Sequence, residues 1–575
     1  MHAREPRIRI GEVGLGFALS LAPDVGGLQG VAQTGTNATY YNAASFDAAD
    51  PYVLSDERGG YYYAYSTDGG GRDASGRGYH FGIYRSADLA TWEQIPGGAL
   101  PVDDGKNWAD DWFWAPEIYH NSSTGLYFLF YSARSDANAR RWFGFADFEE
   151  PCKVGVAVAR SPEGPFSNIA RGPIDYWPYD PGYHDVNRIM GPDQTKPPAT
   201  LEEGRTAPLG VYIPFIDPNV FFDDDGRLYL YYSRNAYRNW VWDYDLGKYI
   251  EESNIYAVEL EADWWNDAAG RTMPAIKPSY VDANRGPDDT PRRRRDGFVR
   301  ILDYERDRQP WENAHVNDYA TSGGTKKDRR WEEGSTTVKT CVDGADGGKE
   351  NLYYLTYSAN NWQNPDYGVG YATATNPLGP WKKYAGNPIL AKDPSLPMYS
   401  TGHGSIAISP DGSQAYYVHH GRPSDAGGPR KLYTGLLFTR GTAANGNPAL
   451  EIDQTTGDRP VPAGVAPYSL TASKASSGRG TWHVRWQVRS VSGARLALGN
   501  PLNRVAASLD RPGTVTPDAD GRGAAVTLGG QGAARLTLTY QRKKASGVYE
   551  DVCNIVTTSD GAQRRDPVSV TVELG

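Results

Sequence analysis

The sequence predicts an all-β fold: a five-bladed β-propeller over residues 37–455, followed by a β-sandwich over residues 466–575. Three observations carry this. A short aromatic strand recurs five times, each time followed by a partner strand and preceded by a polar residue and a turn. The composition holds 39 Tyr, 16 Trp and 66 Gly, which suits pleated strands broken by frequent turns. Beyond residue 455 the texture changes to short alternating strands between Gly, Asp and Pro turns.

The five aromatic strands are Tyr61–Tyr65, Leu126–Tyr131, Leu228–Tyr232, Leu352–Tyr357 and Ala415–His419. Each is apolar almost throughout, as expected of a strand covered on both faces. Partner strands follow at Phe81–Arg85, Val154–Arg160, Ile255–Leu260, Tyr367–Thr373 and Leu432–Phe438. Ahead of the aromatic strands stand Asp50-Pro51, Trp114-Ala115-Pro116-Glu117, Asp217-Pro218, Glu333-Gly334 and Gly402-His403-Gly404. In a propeller the first strand of every blade lines the axis, so Asp50, Glu117, Asp217, Glu333 and His403 are expected at one central pocket. Any one Asp-Pro pair is also an ordinary turn former; an ionisable residue in all five units points to chemistry.

Composition excludes several alternatives. A net charge of −10 argues against a general affinity for nucleic acid, and the basic run Arg292–Arg295 reads as a solvated loop between acids. No apolar run approaches the ~20 residues that cross a bilayer, so no membrane span is expected. Cys152, Cys341 and Cys553 lie far apart and form no metal or redox motif. Arg4, Arg7 and Arg9 precede the apolar stretch Val13–Ala22, and Gly30-Val31-Ala32 reads as a cleavage site. Residues 1–36 are thus expected to be a signal or disordered segment, with export favoured over a cytoplasmic location.

At these motifs the sequence resembles glycoside hydrolase family 43, propeller enzymes acting on arabinose- and xylose-containing polysaccharides. The likeness runs from about Tyr40 to Arg440. It implies that Asp50 is the general base, Glu333 the general acid, and Asp217 the residue that tunes and orients the acid. It further implies a sugar-binding role for Glu117 and places His403 in the channel, beside a calcium ion in many members. No cofactor is implied for the chemistry itself. Ser335 departs from the family's usual Pro after Glu-Gly. Glu332 is adjacent, but alternation along a strand lets only one glutamate face the channel, and Gly334 favours Glu333.

Glycoside hydrolysis explains why these residue types are needed. One protonated carboxyl must protonate the leaving oxygen while one carboxylate works from the opposite face. A free Glu near pKa ~4.3 is ionised at neutral pH, so burial or a negative neighbour, here expected to be Asp217, must raise it. The resemblance implies inversion of configuration, with the two carboxyls roughly 6.5–9.5 Å apart.

Aromatics near the acids, Trp108, Trp112, Trp114 and Phe215, are candidate sugar platforms with core packing as the alternative, and Arg430 is a candidate hydrogen-bond donor to the sugar. The charged insertion from Asp263 to Arg330 carries Trp264, Trp265, Tyr304, Trp311 and Tyr319. It is expected to fold over the pocket and close one end of the cleft, which favours exo action. In the tail, Trp482 and Trp486 share one strand face, and a structural accessory domain is expected there. The expected activity is release of a terminal pentose, α-L-arabinofuranose first, from a carbohydrate substrate. β-Xylosidase, endo-arabinanase and a non-catalytic sugar-binding propeller are the alternatives.

Overall fold

The computed structural model describes residues 47–56, 61–86, 89, 92–137, 152–174, 190, 193–208, 214–234, 239–284, 297–302, 304–343, 349–394, 398–408, 415–453, 468–489, 498, 503–543, 549–557 and 563–575. The N-terminal segment and the basic run lie outside these residues. Among the described residues, no helix is long and apolar enough to cross a membrane.

Among the described residues four sheets carry the five blades: blades 1, 2 and 5 are separate four-stranded antiparallel sheets, and one nine-stranded sheet holds blades 3 and 4. The innermost strands are Tyr52–Asp56, Asp111–Asn121, Ile216–Phe222, Arg329–Asp343 and Tyr399–Ile408. The aromatic runs form the second strands: Tyr61–Ser66, Leu126–Arg134, Leu228–Arg234, Lys349–Ala359 and Ala415–Arg422. Their burial explains their composition, since every residue of Leu228–Arg234 is buried. Blades 3 and 4 are joined by a short parallel pairing of Glu251–Ser253 with Arg329–Trp331. Blade 5 meets blade 1 without sharing a strand: Ala48 N–H donates to the Arg430 carbonyl at 2.9 Å, and Ala48, Val53 and Ala64 pack against Ala407, Tyr416 and Val418.

The insertion differs from the expected lid. Its strand Val299–Arg300 pairs with Tyr256 and Ala257 and so completes blade 3. Trp264 lies against Phe128 and Phe130, with ring centroids 5.0 and 5.4 Å apart, and Trp265 against Phe222 at 4.4 Å. Trp311 packs on Tyr357 at 5.9 Å, and buried Tyr304 lies under the Lys383 ammonium. Of the large aromatics named in the segment, Tyr319 is the one left exposed. Burial against the blades removes far more apolar surface from water than a lid over a polar pocket would, and that decides the placement.

The tail forms two four-stranded sheets and a separate hairpin of Cys553–Thr557 with Gln563–Pro567. One sheet runs Ser469–Gly478, Thr481–Arg489, Gly523–Leu528 and Gly513–Pro517; the other joins Asn503–Leu509, Ala534–Lys543, Tyr549–Asp551 and Ser569–Leu574. Val484, Trp486, Val488 and Val526 meet Leu536, Leu538 and Tyr540 in the core between them. Trp486 is buried and donates its Nε1–H to the Gly521 carbonyl, while Trp482 packs at the core's edge, so both tryptophans serve packing.

Around the axis one local geometry repeats. Asp50, Ala115, Asp217, Gly334 and His403 have φ of 50°, 48°, 55°, 60° and 45°, the left-handed region; the last four make a bulge in their innermost strands, and Asp50 stands just before Tyr52–Asp56. The N–H of each is taken by a side chain on the second strand of the preceding blade, or in blade 1 by Thr67 just past its end. Ala115 donates to Thr67 Oγ1 at 2.8 Å, Asp217 to Ser132 Oγ at 3.0 Å, and Gly334 to Ser233 Oγ at 3.2 Å. His403 donates to Ser358 Oγ at 2.7 Å, and Asp50 donates to His420 Nδ1 at 3.2 Å, which closes the circle. Only glycine fits at 334, where a Cβ would lie 2.8 Å from the His403 ring. Ser358→Ala should lower the unfolding free energy by about 1–3 kcal/mol, because it strands a buried N–H. Denaturant titration checks this, and an unchanged midpoint would show that the ring bond contributes nothing.

Candidate active site

The left-handed residue interrupts strand alternation and turns the Asp50 and Asp217 side chains inward. In blade 4 the equivalent residue is Gly334, and the carboxylate comes from the residue before it, Glu333. In blade 2 the equivalent is Ala115. The five sequence-selected residues therefore do not share one position. Glu117 instead aligns with Tyr52, Asn219, Thr336 and Ser405, two residues further along the channel. There it accepts hydrogen bonds from the Tyr119 hydroxyl and from Asn219 Nδ2, and burial pushes it up to about 8. It stands a layer away from Asp50, Asp217 and Glu333.

Those three carboxyls are brought together and nearly withdrawn from water, at 8%, 6% and 6% exposure. Asp50 Oδ2 accepts from Thr67 Oγ1 at 2.7 Å and Oδ1 from Arg430 at 2.9 Å. Nδ1 of His403 and Nδ1 of His420 each lie 3.3 Å from the same Oδ1. Burial alone would raise the Asp50 pKa; the Arg430 charge outweighs it and holds the carboxyl well below the usual range.

Glu333 is treated oppositely. Trp331 Nε1 donates to Oε2 at 2.6 Å and the Tyr367 hydroxyl to Oε1 at 2.8 Å. Burial pushes Glu333 up to about 7 against these two bonds, and the negative charge of Asp50 adds to the rise. Asp217 Oδ2 accepts from Ser233 Oγ at 2.9 Å and Gly334 N at 3.2 Å. Burial, then Glu333 and Asp50, push Asp217 well above its ordinary value. Asp217 and Glu333 therefore repel each other, as expected of a negative neighbour to the acid, and the charge of Asp50 adds to the rise of both. Glu332 points to the other face and pairs with Lys383, which also holds Glu312 at 2.8 Å. Alternation therefore selects Glu333, as expected.

The aromatic candidates divide. Phe215 is 2% exposed and lies against Tyr232 at 4.0 Å, and Trp108 is buried with Nε1 donating to the Tyr131 hydroxyl, so both belong to the core and not to a sugar platform. Trp112 and Trp114 remain half-exposed and stack on each other at 4.9 Å, with Arg134 3.7 Å over Trp112. Arg430 is bonded to Asp50 and lies 4.3 Å over Trp362, a half-exposed ring that no sequence motif marks. Trp331 could have been found, since it lies two residues before Glu333 on the same strand face. Thr67, Ser233, Tyr367 and His420 carry no sequence signal, because their roles arise only between blades.

The calcium ion implied by the resemblance meets a poor side-chain environment. His403 Nδ1 faces Asp50, and no group of three or more His, Cys, Asp or Glu suited to a metal occurs among the described residues. Calcium takes six to eight oxygens, so side chains alone do not fit it, and no step below uses one.

An ionised carboxylate and a raised, protonatable carboxyl in one buried propeller site are the pair that glycoside hydrolysis requires. The family model described as Glycosyl hydrolases family 43 matches residues 43–187 and 308–438. Over those two stretches the chain is similar to that family. It is similar, at 24% identity over 347 residues, to the β-D-galactofuranosidase xynD of Aspergillus niger; the match covers 60% of this chain and 66% of that protein's length. It is also similar to the structure of a thermostable family-43 glycoside hydrolase, at 28% identity and a TM-score of 0.47, covering 73% of this chain and 99% of that one. A third likeness is to the α-L-arabinofuranosidase of Lactobacillus brevis, at 17% identity and a TM-score of 0.40, covering 70% of this chain and 93% of that one.

The pH behaviour follows from Glu333. An acid must be protonated to act, so kcat/KM on an aryl glycoside should fall about tenfold per unit above a pH of about 7. Tyr367→Phe removes a bond that favours the ionised form and should move this limb to higher pH. A limb that stays in place would remove Tyr367 from the acid's environment.

Proposed function

We infer that this chain is an inverting exo-glycosidase that releases terminal furanose residues, α-L-arabinofuranose first, from plant-type polysaccharide or oligosaccharide. The opposite pKa directions of Asp50 and Glu333 within one pocket carry this reading. Asp50, always ionised, activates a water. Glu333, still protonated near neutral pH, donates to the leaving oxygen. Asp217 orients the acid's strand through the Gly334 N–H. The enclosure of all three carboxyls suits a chain end entering a pocket better than a polymer lying across an open groove. The curated relative named for β-D-galactofuranose also supports a five-membered ring as substrate. β-Xylosidase and endo-arabinanase remain the alternatives on the same residues.

Asp50→Ala and Glu333→Ala should each lower kcat roughly 10²–10⁴-fold while leaving the fold intact. An aryl substrate with a good leaving group should lose less to Glu333→Ala than to Asp50→Ala, because it needs little protonation. Wild-type rates in either variant would remove that residue's role. Assaying aryl α-L-arabinofuranoside, β-D-xyloside and β-D-galactofuranoside beside linear arabinan, with the anomer of the first product read by NMR, decides sugar, exo action and stereochemistry. A retained anomer would overturn the inverting mechanism.

A further inference from the structure

Four of the five ring acceptors are hydroxyls, and the fifth is the imidazole of His420. The exception falls on the bond that holds Asp50. A hydroxyl can accept and donate at once. Thr67 accepts the Ala115 N–H and donates to Asp50, and Ser233 accepts the Gly334 N–H and donates to Asp217. A neutral imidazole nitrogen has one role only. With Nδ1 taking the Asp50 N–H, the proton belongs on Nε2, and Nδ1 cannot also donate to Asp50 Oδ1 at 3.3 Å.

The fold bears a cost for this choice. His420 is completely buried, and its Nε2 finds no partner among the described residues. A serine, as in blades 2, 3 and 4, would leave no such orphan. The gain lies at Asp50: a hydroxyl here would add a donor to Oδ1, which Arg430 already occupies, and would draw electron density from the group that must take a proton from water. The imidazole also lies parallel to the Tyr367 ring, with centroids 5.6 Å apart and planes 10° apart, and the Tyr367 hydroxyl donates to Glu333. One ring therefore touches the backbone of one carboxylate and the support of the other.

Resting on the reading of Asp50 and Glu333 as base and acid, we propose that His420 is a positioning residue for the reaction, holding the Asp50 backbone with an acceptor-only nitrogen and setting base against acid through Tyr367. The test compares His420→Ala, His420→Asn and His420→Ser for kcat and KM on the aryl glycoside the wild type cleaves, with unfolding midpoints measured alongside. His420→Ala should lose on the order of 10–100-fold in kcat with KM changed less than about threefold, the signature of displaced geometry. His420→Asn supplies a carbonyl acceptor at the same place and should recover most of the rate. His420→Ser should fold as well as the wild type yet stay slower than the Asn variant. Wild-type kcat in His420→Ala overturns the proposal. So does an equal loss in all three variants that tracks their unfolding midpoints, since that is a purely structural role. Failure of the catalytic reading looks different: Asp50→Ala and Glu333→Ala would then keep wild-type rates, and the proposal would fall with it.

Discussion

The circle of N–H bonds at the axis is the constraint on which this structure depends. Each blade must place one residue in the left-handed region, a conformation that costs non-glycine residues of order 1–3 kcal/mol and persists only when its surroundings hold it. Here the hold comes from the neighbouring blade, so no blade can adopt it alone. The same conformation turns Asp50 and Asp217 toward the channel and leaves Glu333 beside Gly334. Assembly of the propeller and assembly of the site are therefore one event. Thr67 and Ser233 show it most directly, since each hydroxyl joins two blades and bonds a catalytic-pocket carboxylate.

Within that frame a single charge, Arg430, separates the two carboxyls chemically. It offsets the burial of Asp50 and keeps it ionised, and the ionised Asp50 in turn adds to the burial that keeps Glu333 protonated. Burial raises every carboxyl in this pocket; only the one with a cation beside it escapes. Glu332 marks the contrast on the opposite strand face, where Lys383 ties it to Glu312 in the insertion and the arrangement anchors structure instead of chemistry.

The insertion between blades 3 and 4 shows how packing can overrule a plausible functional expectation. Its tryptophans bury against Phe128, Phe222 and Tyr357, and its short strand finishes blade 3. The half-exposed rings left at the pocket are the Trp112–Trp114 pair and Trp362, on the blades themselves.

The sequence by itself determined the number of blades, the strands within each, the two-part architecture and the three carboxyls of the pocket. These are local matters: apolar runs, turn residues and a periodic polar residue are all written in consecutive positions. Strand alternation left room for one glutamate in the channel, and Gly334 favoured Glu333 over Glu332. Tertiary structure alone decided that Glu117 stands a layer below the others, because the bulge at Ala115 shifts every later side chain of its strand along the channel. It also decided that Phe215 and Trp108 belong to the core, that Arg430 serves Asp50, and that Tyr367 and His420 join the site at all. The partners in these contacts are far apart in the chain, 370 residues in the case of Asp50 and His420, and no local pattern records which side chains a closed ring of blades will press together.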